Sequence, residues 1–202
     1  MIDRAAFFSG ARPLFGGRLS QEQVRGMDAL LDAWECGHDS DLRWFAYQLA
    51  TAKHETADTM LPIAERGGYD YFMRMYDPTS PIPRRAQMAR NMGCKPGDGA
   101  RFYGRGYVQL TWPANYKRAG EMIGVDLLAN PNAAMDPSLA AKIMFAGMRE
   151  GWFTGRRLAD YFTISTSDWI GARRIINGLD KAQIIGGYGI SFHRALLDAS
   201  KP

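Results

Sequence analysis

The chain has 202 residues, 46% of them hydrophobic, so it is long enough to bury a full core in one domain, which excludes a disordered protein. Its formal net charge is +4, without the long Lys/Arg run that follows a phosphate backbone. It also lacks the run of about 18 uncharged apolar residues that a membrane-spanning helix needs. The mild positive charge suits an anionic partner without naming one.

Cys36 and Cys94 are too few for a disulfide framework, and we expect both to be free thiols. Neither CxxC nor a Cys/His cluster indicates zinc, and His38 and His193 have no partners at metal-ligand spacing. The start of the chain carries no apolar segment of signal-peptide length. We therefore expect a product made in a cytoplasm, without membrane insertion.

The first half of the chain predicts two long helices. Ser20 followed by Gln23 is a capping-box pattern, and apolar residues recur at helical spacing from there to Gly37. A second helix is predicted to begin after Ser40 and to continue until Pro62 stops it. Residues 63–83 are rich in Gly, Pro and Tyr, which is typical of an irregular aromatic loop.

The second half predicts mostly helices again. We expect a short helix over residues 84–92, a short strand over 107–110, and helices that begin at Pro113 and Pro137. Two further helices are expected over residues 169–176 and from Asp180 onward. The chain is therefore predicted to be a mainly α protein, a single catalytic domain over residues 1–202, with a small β lobe near residues 94–111.

Two carboxylates near the end of the second predicted helix suit glycosidic bond cleavage. Such a reaction uses one carboxylic acid to protonate the leaving oxygen and a second carboxylate to activate water or attack the sugar. Glu55 follows an apolar, aromatic-rich helix, and Glu65 comes ten positions later, beside Arg66. Because Pro62 breaks the helix, we expect the chain to fold back and bring the two to the roughly 6.5–9.5 Å of an inverting enzyme.

The segment 102–112 combines glycines with aromatic and short polar residues, a mixture that suits a sugar site. Alone, however, the segment is better explained as a tight turn with core aromatics. A lone helical Glu is likewise most often a surface residue. The Gly-x-Gly in it is not a dinucleotide fingerprint, because a third glycine and a βαβ context are missing.

Four blocks together are more specific. His54-Glu55-Thr56, Glu65-Arg66-Gly67, the run from Tyr103 to Trp112, and Ile175-Ile176-Asn177-Gly178 resemble, in this order, those of the glycoside hydrolase family 19 chitinases. The resemblance covers roughly residues 42–195. It implies a lysozyme-like, mainly α fold and an inverting mechanism without metal or cofactor.

The resemblance also implies roles for individual residues. Glu55 would be the general acid and Glu65 the base, and Thr111 stands where chitinases usually have a Ser that helps to position the water. The residues expected to bind the sugar chain are His54, Tyr103, Gln109, Trp112, Asn115 and Asn177.

Departures from the family concern the substrate. The gap between the two glutamates is shorter than in plant chitinases, and the cysteines of their disulfides are absent. An Arg that the family has near the C-terminus is replaced around Gly189. Arg173 or Arg194 could take its place. Compact members of this kind resemble bacteriophage endolysins, as does the segment from Leu14 to Gln21. This favours peptidoglycan glycan strands as the partner of a monomer that reaches the wall through a separate membrane pore.

Three alternatives stay open at this point. The nearest is a chitinase that acts on chitin. A wall-binding module without catalysis is suggested by the missing Arg near Gly189. A nucleic-acid-binding domain is suggested by the basic charge alone and is the weakest of the three.

Overall fold

The computed structural model describes residues 1–37 and 39–200, so His38 lies outside the described residues. Within these residues the chain is mainly helical, as predicted, with a two-stranded sheet. None of the described helices has the length and apolar character needed to cross a bilayer. The chain divides into two compact units, the first made of the residues up to Leu61 and from Met144 onward, the second of Pro62–Ile143. That the whole chain acts as one catalytic domain stays a prediction.

The first unit is built around two long helices packed on each other. It contains α1 (Arg4–Ala11), α2 (Gln21–Glu35), α3 (Leu42–Glu55) and α8 (Ala182–Ala199). Both α1 and α3 pack against α8. A Cβ atom on Gly189 of α8 would lie 2.7 Å from the Trp169 ring, so this position has no room for a larger side chain.

The helix α2 begins as the sequence predicts. The Ser20 hydroxyl accepts a hydrogen bond from the Gln23 backbone N–H, and the Gln23 side-chain oxygen accepts one from the Ser20 backbone N–H. This reciprocal capping box satisfies two backbone donors that a helix start otherwise leaves unpaired. The helix α1, in contrast, was not predicted.

The end of α3 differs from the prediction. The helix stops at Glu55 rather than running to Pro62, because Ala57, Asp58 and Met60 adopt positive φ angles of 50°, 67° and 59°. The buried Lys53 holds this turn by an ion pair with Asp58. Glu55 is therefore the last helical residue.

The environment of α3 is also more buried than its sequence pattern predicts. Gln48 and Thr51, which share a helical face with Glu55, are fully buried rather than lying on a half-exposed face. All residues of α3 from Phe45 to Lys53 are buried. Since α3 packs closely on α8, the helix supplies a rigid support for the carboxyl group at its end.

The second unit combines short helices with the sheet. It contains α4 (Tyr69–Tyr76), α5 (Pro83–Asn91), α6 (Pro113–Ile123) and the first part of α7 (Pro137–Glu150). The strands β1 (Ile63–Ala64) and β2 (Arg105–Gly106) are antiparallel, with Ile63 opposite Gly106 and Ala64 opposite Arg105. The proline starts of α6 and α7 and the helix near residues 84–92 confirm the predictions.

Three element predictions in these regions are wrong. Residues 63–83 are not an irregular loop, since they contain β1 and α4. The strand lies at residues 105–106 rather than 107–110, because the positive φ of Gly106 and Gln109 turns the chain there. Residues 169–176 form a 3₁₀ turn over Gly171–Ile175 instead of an α-helix.

Candidate active site

The carboxyl group of Glu55 is held by a buried arginine. Its Oε1 accepts a hydrogen bond from Nη1 of Arg173 at 2.7 Å; the Arg173 side chain is 4% exposed and that of Glu55 19%. The Arg173 Nε also donates to the carbonyl of Asp180, at 3.3 Å. Oε2 of Glu55 has no hydrogen bond to any described residue. The ion pair thus fixes the Glu55 side chain and leaves one carboxyl oxygen open to a ligand.

Of the two arginines considered from the sequence, Arg173 is the one that pairs with Glu55. It lies in the 3₁₀ turn Gly171–Ile175, between the buried residues Ala172 and Ile175. Arg194, the other candidate, is exposed on α8. That Arg173 takes the place of the arginine expected near Gly189 stays a prediction.

Glu65 is held in a different way, by three hydrogen-bond donors of its own unit. Its Oε1 accepts from the hydroxyls of Tyr76 at 2.8 Å and Tyr71 at 3.1 Å, and its Oε2 accepts from the backbone N–H of Gly104 at 3.3 Å. The Glu65 N–H donates to the Gly104 carbonyl at 2.8 Å, which continues the pairing of β1 with β2. The sheet therefore fixes the position of the Glu65 side chain.

The two tyrosines are suited to remain donors. Burial, followed by the hydrogen bond to Glu65, raises the pKa of Tyr76 well above its usual value, and the same causes raise the pKa of Tyr71. Neutral phenols only donate to a carboxylate, and such donors suit an ionised carboxylate that accepts a proton. Arg66 is exposed, and among the described residues it is not a partner of Glu65, contrary to the pairing considered from the sequence.

Tyr71 and Tyr76 were not named as site residues from the sequence. The sequence feature that could have indicated them is the aromatic run after Glu65, which was interpreted as part of a loop. Only the helix α4 shows that the two hydroxyls converge on one carboxylate.

Gly104 brings the predicted residue Gln109 next to Glu65. A Cβ atom on Gly104 would lie 2.7 Å from Gln109 Oε1 and 3.2 Å from Glu65 Oε2, so a larger residue here would displace the Gln109 amide. The Gln109 Nε2 donates to the Ile63 carbonyl at 3.1 Å. The predicted water-positioning residue Thr111 is anchored close by, because its hydroxyl donates to the Gln109 carbonyl at 2.8 Å.

The remaining predicted residues of the second unit pack around this group. Asn115 Nδ2 donates to the Thr111 carbonyl at 2.9 Å. The Trp112 ring meets the Tyr76 ring edge-on at 5.2 Å. Tyr103 lies 4.0 Å from the Phe72 ring in a stacked arrangement, with the Arg105 guanidinium 3.8 Å from its centroid. These contacts hold the ring of Tyr103 in place.

His54 and Asn177 belong to the first unit, with Glu55. His54 is half-buried in the last turn of α3, and Asn177 is exposed, its side-chain oxygen accepting from the Gly178 N–H. The predicted residues therefore fall into two groups, one in each unit. The separation of Glu55 and Glu65 and the sugar-binding roles stay predictions. Among the described residues, no cluster of His, Cys, Asp and Glu could hold a metal ion.

The family model of glycoside hydrolase family 19, chitinase class I, matches residues 34–157. Similar plant proteins include endochitinase 1 of Theobroma cacao, 38% identical over 101 residues, and endochitinase A2 of Pisum sativum, 36% identical over 104 residues. These matches cover 48% and 50% of this chain but only 30% of each plant protein. The chain thus spans less than a third of the length of these relatives.

Solved structures agree on the fold. Chitinase C from Streptomyces griseus HUT6037 has a TM-score of 0.58 at 22% identity, covering all of this chain and 78% of that one. A bacterial family 19 chitinase has a TM-score of 0.54, also at 22% identity, with 96% of its chain covered. This likeness confirms the predicted mainly α, lysozyme-like fold. With the family model matching more than half of its residues, the chain belongs to glycoside hydrolase family 19.

Proposed function

We propose that this protein hydrolyses β-1,4 glycosidic bonds by an inverting mechanism, with Glu55 as general acid and Glu65 as general base. The observation that carries the proposal is the contrast between their surroundings. Glu55 has one oxygen fixed by Arg173 and the other free, whereas Glu65 is surrounded by donors that suit a proton acceptor. An acid and a base in distinct environments are what direct displacement by water requires.

We propose peptidoglycan as the substrate, in the manner of a phage endolysin. Peptidoglycan shares the β-1,4-linked N-acetyl sugar backbone of chitin, and the positive net charge favours an anionic envelope. The proposal includes synthesis in a host cytoplasm, passage to the wall through a separate membrane pore, and action as a monomer. Mass spectrometry of digested sacculi tests it, because the sugar that carries the new reducing end identifies the bond cut.

Chitin is the second candidate substrate, favoured by the similarity of the chain to plant endochitinases and a bacterial chitinase. A chitinase would release oligosaccharides from chitin and leave sacculi intact. Digestion of the two polymers side by side therefore separates the candidates. A wall-binding module without catalysis was suggested by the missing Arg near Gly189. The hydrogen bond from Arg173 to Glu55 weakens that argument.

Arg173→Met is expected to reduce kcat on soluble peptidoglycan strands by about 10- to 100-fold and to destabilise the fold by about 3 kcal/mol, since it leaves the partly buried Glu55 without its cation. Arg173→Lys keeps the charge but cannot serve both Glu55 and the Asp180 carbonyl, and we expect it to recover only part of the activity. Steady-state kinetics and urea unfolding measure both effects. Arg174→Met, at an exposed neighbour, is the matched control, and equal losses in both variants would contradict the role of Arg173.

Tyr76→Phe is expected to lower kcat by about five- to tenfold with KM nearly unchanged, because Glu65 loses its shortest hydrogen bond while the ring contact with Trp112 remains. Tyr71→Phe removes a longer bond from a side chain that is 42% exposed, so its effect should be about twofold. Kinetics of the two variants on the same soluble strands compare them directly. A larger loss in Tyr71→Phe than in Tyr76→Phe would show that the distances do not rank the two donors.

A further inference from the structure

The positive charge of the chain is concentrated in its second unit. Residues 62–143 contain 11 Lys and Arg against 7 Asp and Glu, whereas the rest of the chain has 14 of each. The net charge of +4 therefore belongs entirely to the unit that carries Glu65. This distribution is not visible from the overall composition.

Most of these cations are not neutralised by neighbouring acids. Lys117 pairs with Glu121, but the eight cations between positions 62 and 116 have no ion pair with a described residue. The acids there are used elsewhere: Asp77 is buried and accepts from the N–H groups of Gly97 and Gly99, and Asp98 accepts from the Lys95 N–H. The side chains among these eight that also lack a hydrogen bond to a described residue are Arg66, Arg74, Arg84, Arg85 and Lys95.

Two of these arginines lie on a helix that packs against the helix carrying the tyrosine partners of Glu65. The helix α5 carries Arg84 and Arg85 and packs on α4, which carries the two tyrosines that bind Glu65. Arg84, Arg85 and the 45% exposed Met88 line one shallow surface depression. The charge of Arg85 also acts on both tyrosine hydroxyls, lowering the pKa of each against the larger effect of burial. We call Arg84, Arg85 and Met88 the α5 basic surface.

We propose that the α5 basic surface binds carboxylates attached to the glycan and so selects peptidoglycan over chitin. Chitin is uncharged, whereas the lactyl groups of peptidoglycan carry peptide stems with free carboxylates. Guanidinium groups match the planar geometry of a carboxylate, and a half-exposed apolar side chain beside them suits the adjoining aliphatic parts of a stem. This inference rests on the proposed function and names what distinguishes its substrate.

The test measures binding rather than hydrolysis. Arg84→Gln/Arg85→Gln is made in the Glu55→Gln background, and co-sedimentation gives its apparent Kd for three ligands: intact sacculi without teichoic acid, glycan strands whose stems an amidase has removed, and chitin. We expect a roughly five- to tenfold weaker affinity for intact sacculi at low salt, with the difference fading as salt rises. If the affinity falls only for intact sacculi, the α5 basic surface binds the carboxylates of the peptide stems. If it also falls for the stripped strands, the surface binds the lactyl carboxylate as well.

Arg12→Gln/Arg18→Gln, at two exposed positions of the first unit, is the matched control, since it removes the same charge. Arg84→Lys/Arg85→Lys should restore much of the affinity. The proposal is overturned if the α5 variant binds sacculi as its parent does, if the control loses as much, or if chitin binding falls equally. The proposed function is tested separately by cleavage. It would fail if the wild-type protein bound sacculi through these arginines but did not cleave them.

Discussion

Glu55→Gln is expected to reduce kcat on soluble peptidoglycan strands by about 10³-fold or more, with KM within about twofold of the wild type. The amide cannot donate the proton that the leaving oxygen needs. Its oxygen can still accept the hydrogen bond from Arg173, so the side chain should keep its position and the fold its stability. Release of soluble fragments from dye-labelled sacculi and steady-state kinetics both measure the loss.

Glu22→Gln is the control for this variant, because Glu22 is an exposed glutamate in the first turn of α2. It should leave the kinetics unchanged. If Glu55→Gln clears permeabilised cells as fast as the wild type, Glu55 is not the acid. Unfolding of Glu55→Gln at a much lower temperature than the wild type would instead assign a structural role to the carboxyl group.

Glu65→Ala is expected to lower kcat by about 10²- to 10⁴-fold, since no group remains to take a proton from the attacking water. Two tyrosine hydroxyls and the Gly104 N–H lose their acceptor at the same time. We therefore expect a loss of about 1–3 kcal/mol in the free energy of unfolding, which circular dichroism can follow in urea.

Azide separates the role of Glu65 from this structural effect. An anion that enters the space vacated by the carboxylate attacks without needing a base, so azide should restore part of the turnover of Glu65→Ala and yield a glycosyl azide of inverted configuration. Glu55→Gln should not respond, because its defect concerns the leaving group. A Glu65→Ala variant that keeps wild-type turnover without azide would rule out Glu65 as the base.

The parts of the fold that were predictable are those set by local chemistry. The capping box at Ser20 and the prolines at positions 113 and 137 fix helix starts through backbone donors and φ angles. Glu55 was placed correctly near the end of a helix, although this helix ends before the predicted stop at Pro62. These signals need no knowledge of the rest of the chain.

The errors arise where specific side-chain contacts decide the structure. The helix α3 ends early because a turn held by the buried Lys53 and Asp58 replaces its continuation, and α4 is a short aromatic helix that packs Phe72 against Tyr103. Local propensity gives no sign of either contact. The pairing of Glu55 with Arg173 joins residues 118 positions apart, so the sequence alone left two arginines as candidates.

Proton NMR of soluble peptidoglycan strands during the first minutes of digestion tests the inverting mechanism. We expect cleavage of the β-1,4 bond to yield first a new reducing sugar in the α configuration, which then equilibrates slowly with the β form. Inversion follows if Glu65 activates a water molecule for direct displacement. A β anomer as the first product, or no new anomeric signal while chitin is cleaved, would contradict it.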